Sequence, residues 1–210
     1  MKIYMIRHGE TDWNKKRKLQ GQVDIPLNEF GRHLARETAP ALRDIPFAAV
    51  YTSPLSRAKE TAELVLEGRA VPIIEEARIM EMGFGEYEGL CCNQEGWNIP
   101  DPDFRYFFDA PEKYHPPKGG ETFQQVSDRL DDFLKELLGN KKLQDKTVLL
   151  STHGAALCGI LRLIKRNPIE RYWDGGVHKN CAVTIAEAAE GGIRILEEAV
   201  TYYNDSVSDW

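Results

Sequence analysis

KIYMIRHGETDWN, residues Lys2 to Asn14, is the stretch on which the fold turns. Ile3, Tyr4, Met5 and Ile6 make a short apolar run bounded by charge, which suits a buried strand. The character then changes abruptly to Arg7-His8-Gly9-Glu10-Thr11. A strand ending in Arg-His-Gly sets a guanidinium and an imidazole at its carboxyl end, the side on which open α/β sheets bind ligands. Gly9 lets the backbone turn sharply. Arginine pairs with phosphate oxygens through two parallel N–H groups, and histidine can act as a nucleophile. A polar strand end would explain Arg7 and His8 equally well.

Outward from this stretch the same layout recurs. Ala48-Ala49-Val50-Tyr51 reads as a second buried strand, followed by Ser53 as N-cap and Pro54 as first helical residue. Arg57 then falls in the first turn of that helix. A cation there opposes the helix dipole, so a bound anion would give it a reason. Thr147 to Thr152 reads as a buried strand ended by His153-Gly154 before another helix. Three strand-to-helix junctions thus carry Arg7 with His8, Arg57, and His153.

The segments between them supply the layers. Asn28 caps a helix with Phe30, Leu34, Thr38 and Leu42 on one face, which Pro40 should kink or shorten. His33 lies off that stripe and reads as a surface residue. Phe123, Val126, Leu130, Phe133, Leu134 and Leu137 mark a second amphipathic helix ended by Gly139-Asn140. Val71 to Ile74 suits an edge strand because of Pro72. Cys181–Ala186 and Ile193–Leu196 should be the last strands, joined at Gly191-Gly192. Lys15 to Lys18 reads as a solvated basic loop or as a source of positive potential near the pocket mouth, and the tail to Trp210 as acidic and loose. Strand-helix alternation makes the chain α/β, with a mainly parallel sheet in a three-layer arrangement, helices on both faces.

Two irregular segments remain. Residues 78–89 are glycine-rich and acidic, and offer Glu81, Glu86 and Glu88 as candidate proton donors. Residues 90–120 gather aromatic side chains among prolines. They read as a small satellite core, as an inserted lid or specificity segment over the pocket, or as both.

Composition is compatible with a small-molecule enzyme. The chain has 210 residues, 42% hydrophobic and 29% charged, with a net charge of −6. That length suits one domain, residues 1–210, and the acidic balance argues against nucleic acid. No signal peptide, membrane span or C-x-x-C pair is visible. A cytoplasmic protein with free thiols at Cys91, Cys92, Cys158 and Cys181 is expected. A homodimer is allowed.

Four motifs, RHGETxxN from Arg7, TSPLxRAxxT from Thr52, ExxFGxxEG from Glu81 and STHG from Ser151, together resemble the phosphatase branch of the histidine phosphatase superfamily, the phosphoglycerate mutase-like enzymes. The resemblance implies the phosphoglycerate mutase-like α/β core and a phosphomonoesterase that needs no metal and no cofactor. It implies that His8 is phosphorylated and that Arg7, Arg57 and His153 hold the phosphoryl oxygens, helped by Asn14. Glu81 is implied as proton donor. Gln20, Gly21 and Gly154 complete the expected phosphate-binding set. Phosphoryl transfer depends mostly on positioning and charge stabilisation, so a protonated His153 and two guanidiniums could suffice. His8 must be neutral at its attacking nitrogen, with the other held by a backbone carbonyl. The substrate would be a small phosphorylated metabolite. Cofactor-dependent phosphoglycerate mutase is an alternative, but mutases place Arg-His after the Glu, where this chain has Met82-Gly83. A non-catalytic phosphate-binding regulatory module is another.

Overall fold

A computed structural model of the chain describes residues 1–190 and 192–207. Six strands form one sheet: β1 (Lys2–Arg7), β2 (Phe47–Thr52), β3 (Ile73–Glu75), β4 (Thr147–Thr152), β5 (Val183–Ala189) and β6 (Gly192–Val200). Their order across the sheet is β3-β2-β4-β1-β5-β6. The first four are mutually parallel, and β5 and β6 join antiparallel.

Alternation along the central strands explains the layers. Ile3 and Met5 face one side with Val148 and Leu150, and Tyr4 and Ile6 face the other with Leu149. The first side packs on α5 (Phe123–Gly139) and α6 (Gly154–Lys165), through Phe133, Leu137 and Leu157. The second packs on α2 (Glu29–Leu42) and α3 (Ser56–Leu66), through Leu34, Leu42 and Val65. Each such side chain removed from water contributes roughly 1.5–3 kcal/mol. The remaining helices are single turns, α1 (Asp12–Lys15) and α4 (Tyr106–Asp109). Among the described residues, no helix is long and apolar enough to cross a membrane.

Several local expectations change. Helix α3 begins at Ser56, not Pro54, because its cap comes from Asp24, whose Oδ1 accepts from Ser56 N at 2.8 Å and Ser56 Oγ at 2.7 Å. Ser53 Oγ only accepts from Leu55 N, at 3.3 Å. Helix α2 runs through Pro40 and stops two residues later. The basic run begins inside α1 rather than in a loop, since Thr11 and Asn14 form a capping box there. The tail is held as far as residue 207: Tyr203 and Val207 are buried in the α2–α3 side of the core. Residues 208–210 lie outside the described residues, as does Gly191 of the expected β5–β6 turn. The aromatic excursion is no satellite, because Phe104, Phe107 and Tyr114 belong to the same cluster as Phe123 and Phe133.

Candidate active site

Strand pairing brings the two histidine junctions together. Arg7 lies opposite Thr152 in the parallel β1–β4 pair, so His8 and His153 leave neighbouring strand ends. His8 N donates to Thr152 O at 2.9 Å, and the two imidazole rings sit edge to face with centroids 5.1 Å apart. Strand β2 flanks β4 on its other side and delivers Arg57 on α3 to the same rim.

The loop carrying His8 is pinned on every side. Gly9 N donates to Thr61 Oγ1 at 2.9 Å, and Asn180 Nδ2 to His8 O at 2.8 Å. Tyr203 Oη in turn holds Asn180 O at 2.6 Å, which explains the ordered tail. Glycine is required at position 9 by close approach: a Cβ there would lie 2.5 Å from Gly31 O on α2. The His8 Nδ1–H donates to Gly9 O at 2.6 Å, so a neutral ring leaves Nε2 as a free base. Burial first, then the Arg57 and Arg7 charges, push the His8 imidazole well below its usual range.

Both arginines are buried. Arg57, 0% exposed, donates from Nη2 to Gly21 O at 2.8 Å, from Nη1 to Val23 O at 2.9 Å and from Nε to His153 Nδ1 at 3.2 Å. Arg7 Nη1 donates to His178 O, while its Nε has no partner among the described residues. Burial lowers both guanidiniums to about 10, and the Glu81 carboxylate opposes that, so both stay charged at neutral pH. Arg17, from the basic run, adds positive potential at Arg7.

His153 departs from the sequence expectation. Burial, then the Arg57 and His8 fields, push it well below the usual imidazole range, so it is neutral rather than protonated. Because Nδ1 accepts from Arg57, the proton sits on Nε2, which is buried without a partner among the described residues. It remains a donor of one hydrogen bond.

The three acidic candidates separate cleanly. Glu81 sits against the start of α6, with Oε1 accepting from Met82 N at 3.0 Å and Ala156 N at 2.9 Å, and Oε2 from Ala155 N at 3.1 Å. Glu86 is exposed. Glu88 ties loops together, accepting from Gln22 N, Val23 N and Phe84 N at 2.9–3.0 Å. A Cβ on Gly154 would lie 3.6 Å from both Arg7 Nε and Glu81 Oε2, so the glycine keeps the space between them open.

A cavity of about 220 Å³ gathers these groups. Arg7, His8, Asn14, Gln20, Gly21, Arg57, Glu81 and Gly154 line it, and His153 lies fully buried beside His8. Asn14 Oδ1 is occupied by Thr11 N at 3.1 Å, and Gln20 Oε1 by Thr11 Oγ1 at 2.9 Å. The rest of the lining is largely apolar, with Phe84, Phe107, Phe108, Trp173 and Val177. Sequence reading missed the Trp173–Val177 part. Trp173-Asp174-Gly175-Gly176 carried a turn signal that could have marked it as a loop. Trp173 Nε1 donates to Phe107 O at 2.6 Å and joins the two halves of that lining. Among the described residues, no three His, Cys, Asp or Glu side chains cluster as metal ligands.

Two neutral buried imidazoles give stability a definite pH dependence. Unfolded histidines protonate near 6.5, whereas His8 and His153 resist it. As pH falls below about 6.5 the unfolded state therefore binds protons first. Stability is full above that value and is lost below it, at about 1.4 kcal/mol per pH unit for each group. Urea titrations between pH 6.5 and 5 should show a shallower slope in His8→Ala, by one proton. An unchanged slope would mean that His8 is charged in the folded protein.

The chain is similar to known proteins over most of its length. The family model of the histidine phosphatase superfamily (branch 1) matches residues 3–201. The uncharacterized phosphatase PhoE of Bacillus subtilis is 36% identical over 159 residues, 76% of this chain and 75% of that protein. A metal-independent phosphoserine phosphatase of Arabidopsis thaliana is 35% identical over 164 residues, 77% of this chain and 66% of its own. A 2,3-bisphosphoglycerate-dependent phosphoglycerate mutase of Gloeobacter violaceus also matches, 32% identical over 162 residues, 76% of this chain and 73% of its own. Among solved structures, Bacillus stearothermophilus YhfR superposes with a TM-score of 0.88 at 34% identity, covering 96% of this chain and 98% of that one.

Proposed function

Since the chain belongs to the histidine phosphatase superfamily, we propose that it is a metal-independent phosphomonoesterase working through a phosphohistidine on His8. One observation carries this reading. Among the described residues, Arg7 Nε and His153 Nε2 are buried donors without partners, beside a neutral His8 whose Nε2 is free. Unpaired buried donors are costly, and a phosphoryl group would satisfy both.

The steps follow from those positions. His8 Nε2 attacks phosphorus while the ester P–O bond breaks. The substrate, entering as the phosphate monoanion, passes its proton to the Glu81 carboxylate, which gives it to the departing oxygen. Arg7, Arg57, the His153 Nε2–H and Asn14 hold the three equatorial oxygens, and each charged donor aimed at developing charge contributes roughly 3–4 kcal/mol. Water then attacks phosphorus, Glu81 takes its proton, and the P–N bond breaks to release phosphate and restore His8.

The apolar wall argues for the rest of the substrate. Apart from Arg7 and Arg57, no cation lines the cavity among the described residues. A second phosphate or a carboxylate would go unpaired there, which favours hydrolysis of an aryl or other apolar ester over mutase chemistry. Residues 90–120 act, in this reading, as an inserted specificity segment of a single domain, through Phe107 and Phe108.

The test is hydrolysis in EDTA of phenyl phosphate and of 3-phosphoglycerate, with 2-phosphoglycerate formation followed in parallel under added 2,3-bisphosphoglycerate. Phenyl phosphate should be cleaved at an undiminished rate, with kcat/KM at least about tenfold above that for 3-phosphoglycerate, to which ~1.4 kcal/mol of apolar contact and the better phenolate leaving group both contribute. Loss of activity in EDTA would sink the metal-free mechanism. Interconversion of phosphoglycerates faster than hydrolysis would establish the mutase instead.

A further inference from the structure

Residues 80–83, which carry Glu81, lie in neither helix nor strand. A general acid must nevertheless be held within a fraction of an ångström of the oxygen it protonates, since a 1 Å misplacement can cost about a hundredfold in rate. The backbone here is fixed by side chains instead of by a ladder.

One arginine does most of the holding. Arg129, in the second turn of α5 with its side chain 17% exposed, donates from Nη1 to Arg78 O at 2.7 Å and Met80 O at 2.8 Å. Its Nη2 donates to Glu81 O at 3.0 Å and Glu121 Oε2 at 3.0 Å, and its Nε to Glu121 Oε1 at 2.9 Å. Glu121 Oε2 reaches the far side of Glu81 by accepting from Gly83 N at 2.8 Å. Gln22 closes the ring, donating from Nε2 to Glu81 O and to Glu121 Oε2, each at 3.2 Å. Thr152 Oγ1 donates to Ile79 O at 2.7 Å and ties the segment to the strand end beside His153.

We propose that Arg129, paired with Glu121 and closed by Gln22, is a positioning residue that sets Glu81 for proton transfer. It touches no reacting atom and acts through the backbone of Glu81. Only a guanidinium, with five N–H groups in a fixed fork, can serve these carbonyls and a carboxylate together; a lysine ammonium on a flexible stem cannot. The inference rests on the reading of Glu81 as proton donor.

Leaving-group dependence separates positioning from bulk support. A p-nitrophenolate leaves without a proton, whereas an alkoxide needs one. kcat/KM stops at formation of the phosphoenzyme, so it reports this proton delivery and not the later hydrolysis. For Arg129→Lys, kcat/KM with an alkyl phosphate should fall about tenfold more than with p-nitrophenyl phosphate, a fraction of the ~10²–10⁴ that general acid catalysis supplies. Gln22→Ala, at an exposed position, should shift the ratio in the same direction by about threefold, and it carries the test if Arg129→Lys does not fold. Glu81→Gln, measured alongside, sets the full selective loss. Equal losses on both esters in Arg129→Lys and Gln22→Ala, or no loss on either, would overturn the inference while a selective loss in Glu81→Gln leaves the proton donor standing. Equal losses on both esters in Glu81→Gln would overturn the proton-donor reading and the positioning role with it.

Discussion

Replacing His8 with alanine is expected to lower phosphomonoester hydrolysis by at least about 10⁴-fold, the scale on which removal of a nucleophile acts elsewhere. The phosphoenzyme should vanish with it. Rapid quench with radiolabelled substrate reads this directly: a phosphohistidine survives alkali and is lost in acid, and the variant should show no label under either. The fold should be nearly unaffected. The imidazole makes one hydrogen bond, to Gly9 O, and the bonds that pin the loop use the backbone of His8 and Gly9. Truncation also enlarges a cavity that already exists, so little packing is lost. Retained hydrolysis in the variant would sink the covalent mechanism; retained label would move the nucleophile elsewhere.

Replacing Arg57 with methionine should damage both chemistry and architecture. The guanidinium is expected to supply roughly 10³-fold in kcat/KM through the phosphoryl oxygens, in line with the loss of a single preorganised donor. Its loss also frees His153 Nδ1, so the imidazole can take the other tautomer and cease to offer Nε2–H. Gly21 O and Val23 O lose their partners together, and the loop they belong to carries Asp24, the cap of α3. Gly21 O is buried and Val23 O only partly so; an unpaired buried acceptor costs about 1–3 kcal/mol, so unfolding in urea should reveal a loss of about that size. Lost activity with unchanged stability would reduce Arg57 to a ligand contact. Unchanged activity would remove it from the site.

These residues also show what could be read before any coordinates. Arg7, His8 and His153 were legible because strand-to-helix junctions have local signatures, and parallel pairing of β1 with β4 then sets them side by side. Arg57 was placed correctly in a first turn, but its cap was not, since Asp24 is remote in sequence. The charge of His153 was misjudged because it depends on burial against Arg57, which no pattern around Ser151-Thr152-His153 reports. The choice among Glu81, Glu86 and Glu88 needed the resemblance, because all three sit in one irregular stretch. The held tail was missed because Tyr203 and Val207 follow no helical or strand period and their burial comes from distant elements. The Trp173–Val177 wall escaped because an aromatic in a glycine turn has no periodicity to follow.

The place of β1 in the sheet has a consequence for synthesis. This strand precedes the others in the chain yet sits between β4 and β5, with Lys2 paired to Thr147 and to Glu187. On the ribosome Ile3, Tyr4, Met5 and Ile6 would wait, unpaired and apolar, until β4 has emerged, and one edge would stay open until residues near 190 follow. At about 5–20 residues per second that delay lasts on the order of ten seconds or more. Such a strand is a target for association with other nascent chains. Slow synthesis should therefore lower the yield of soluble enzyme even where the finished protein is stable, and chaperone supply should restore it.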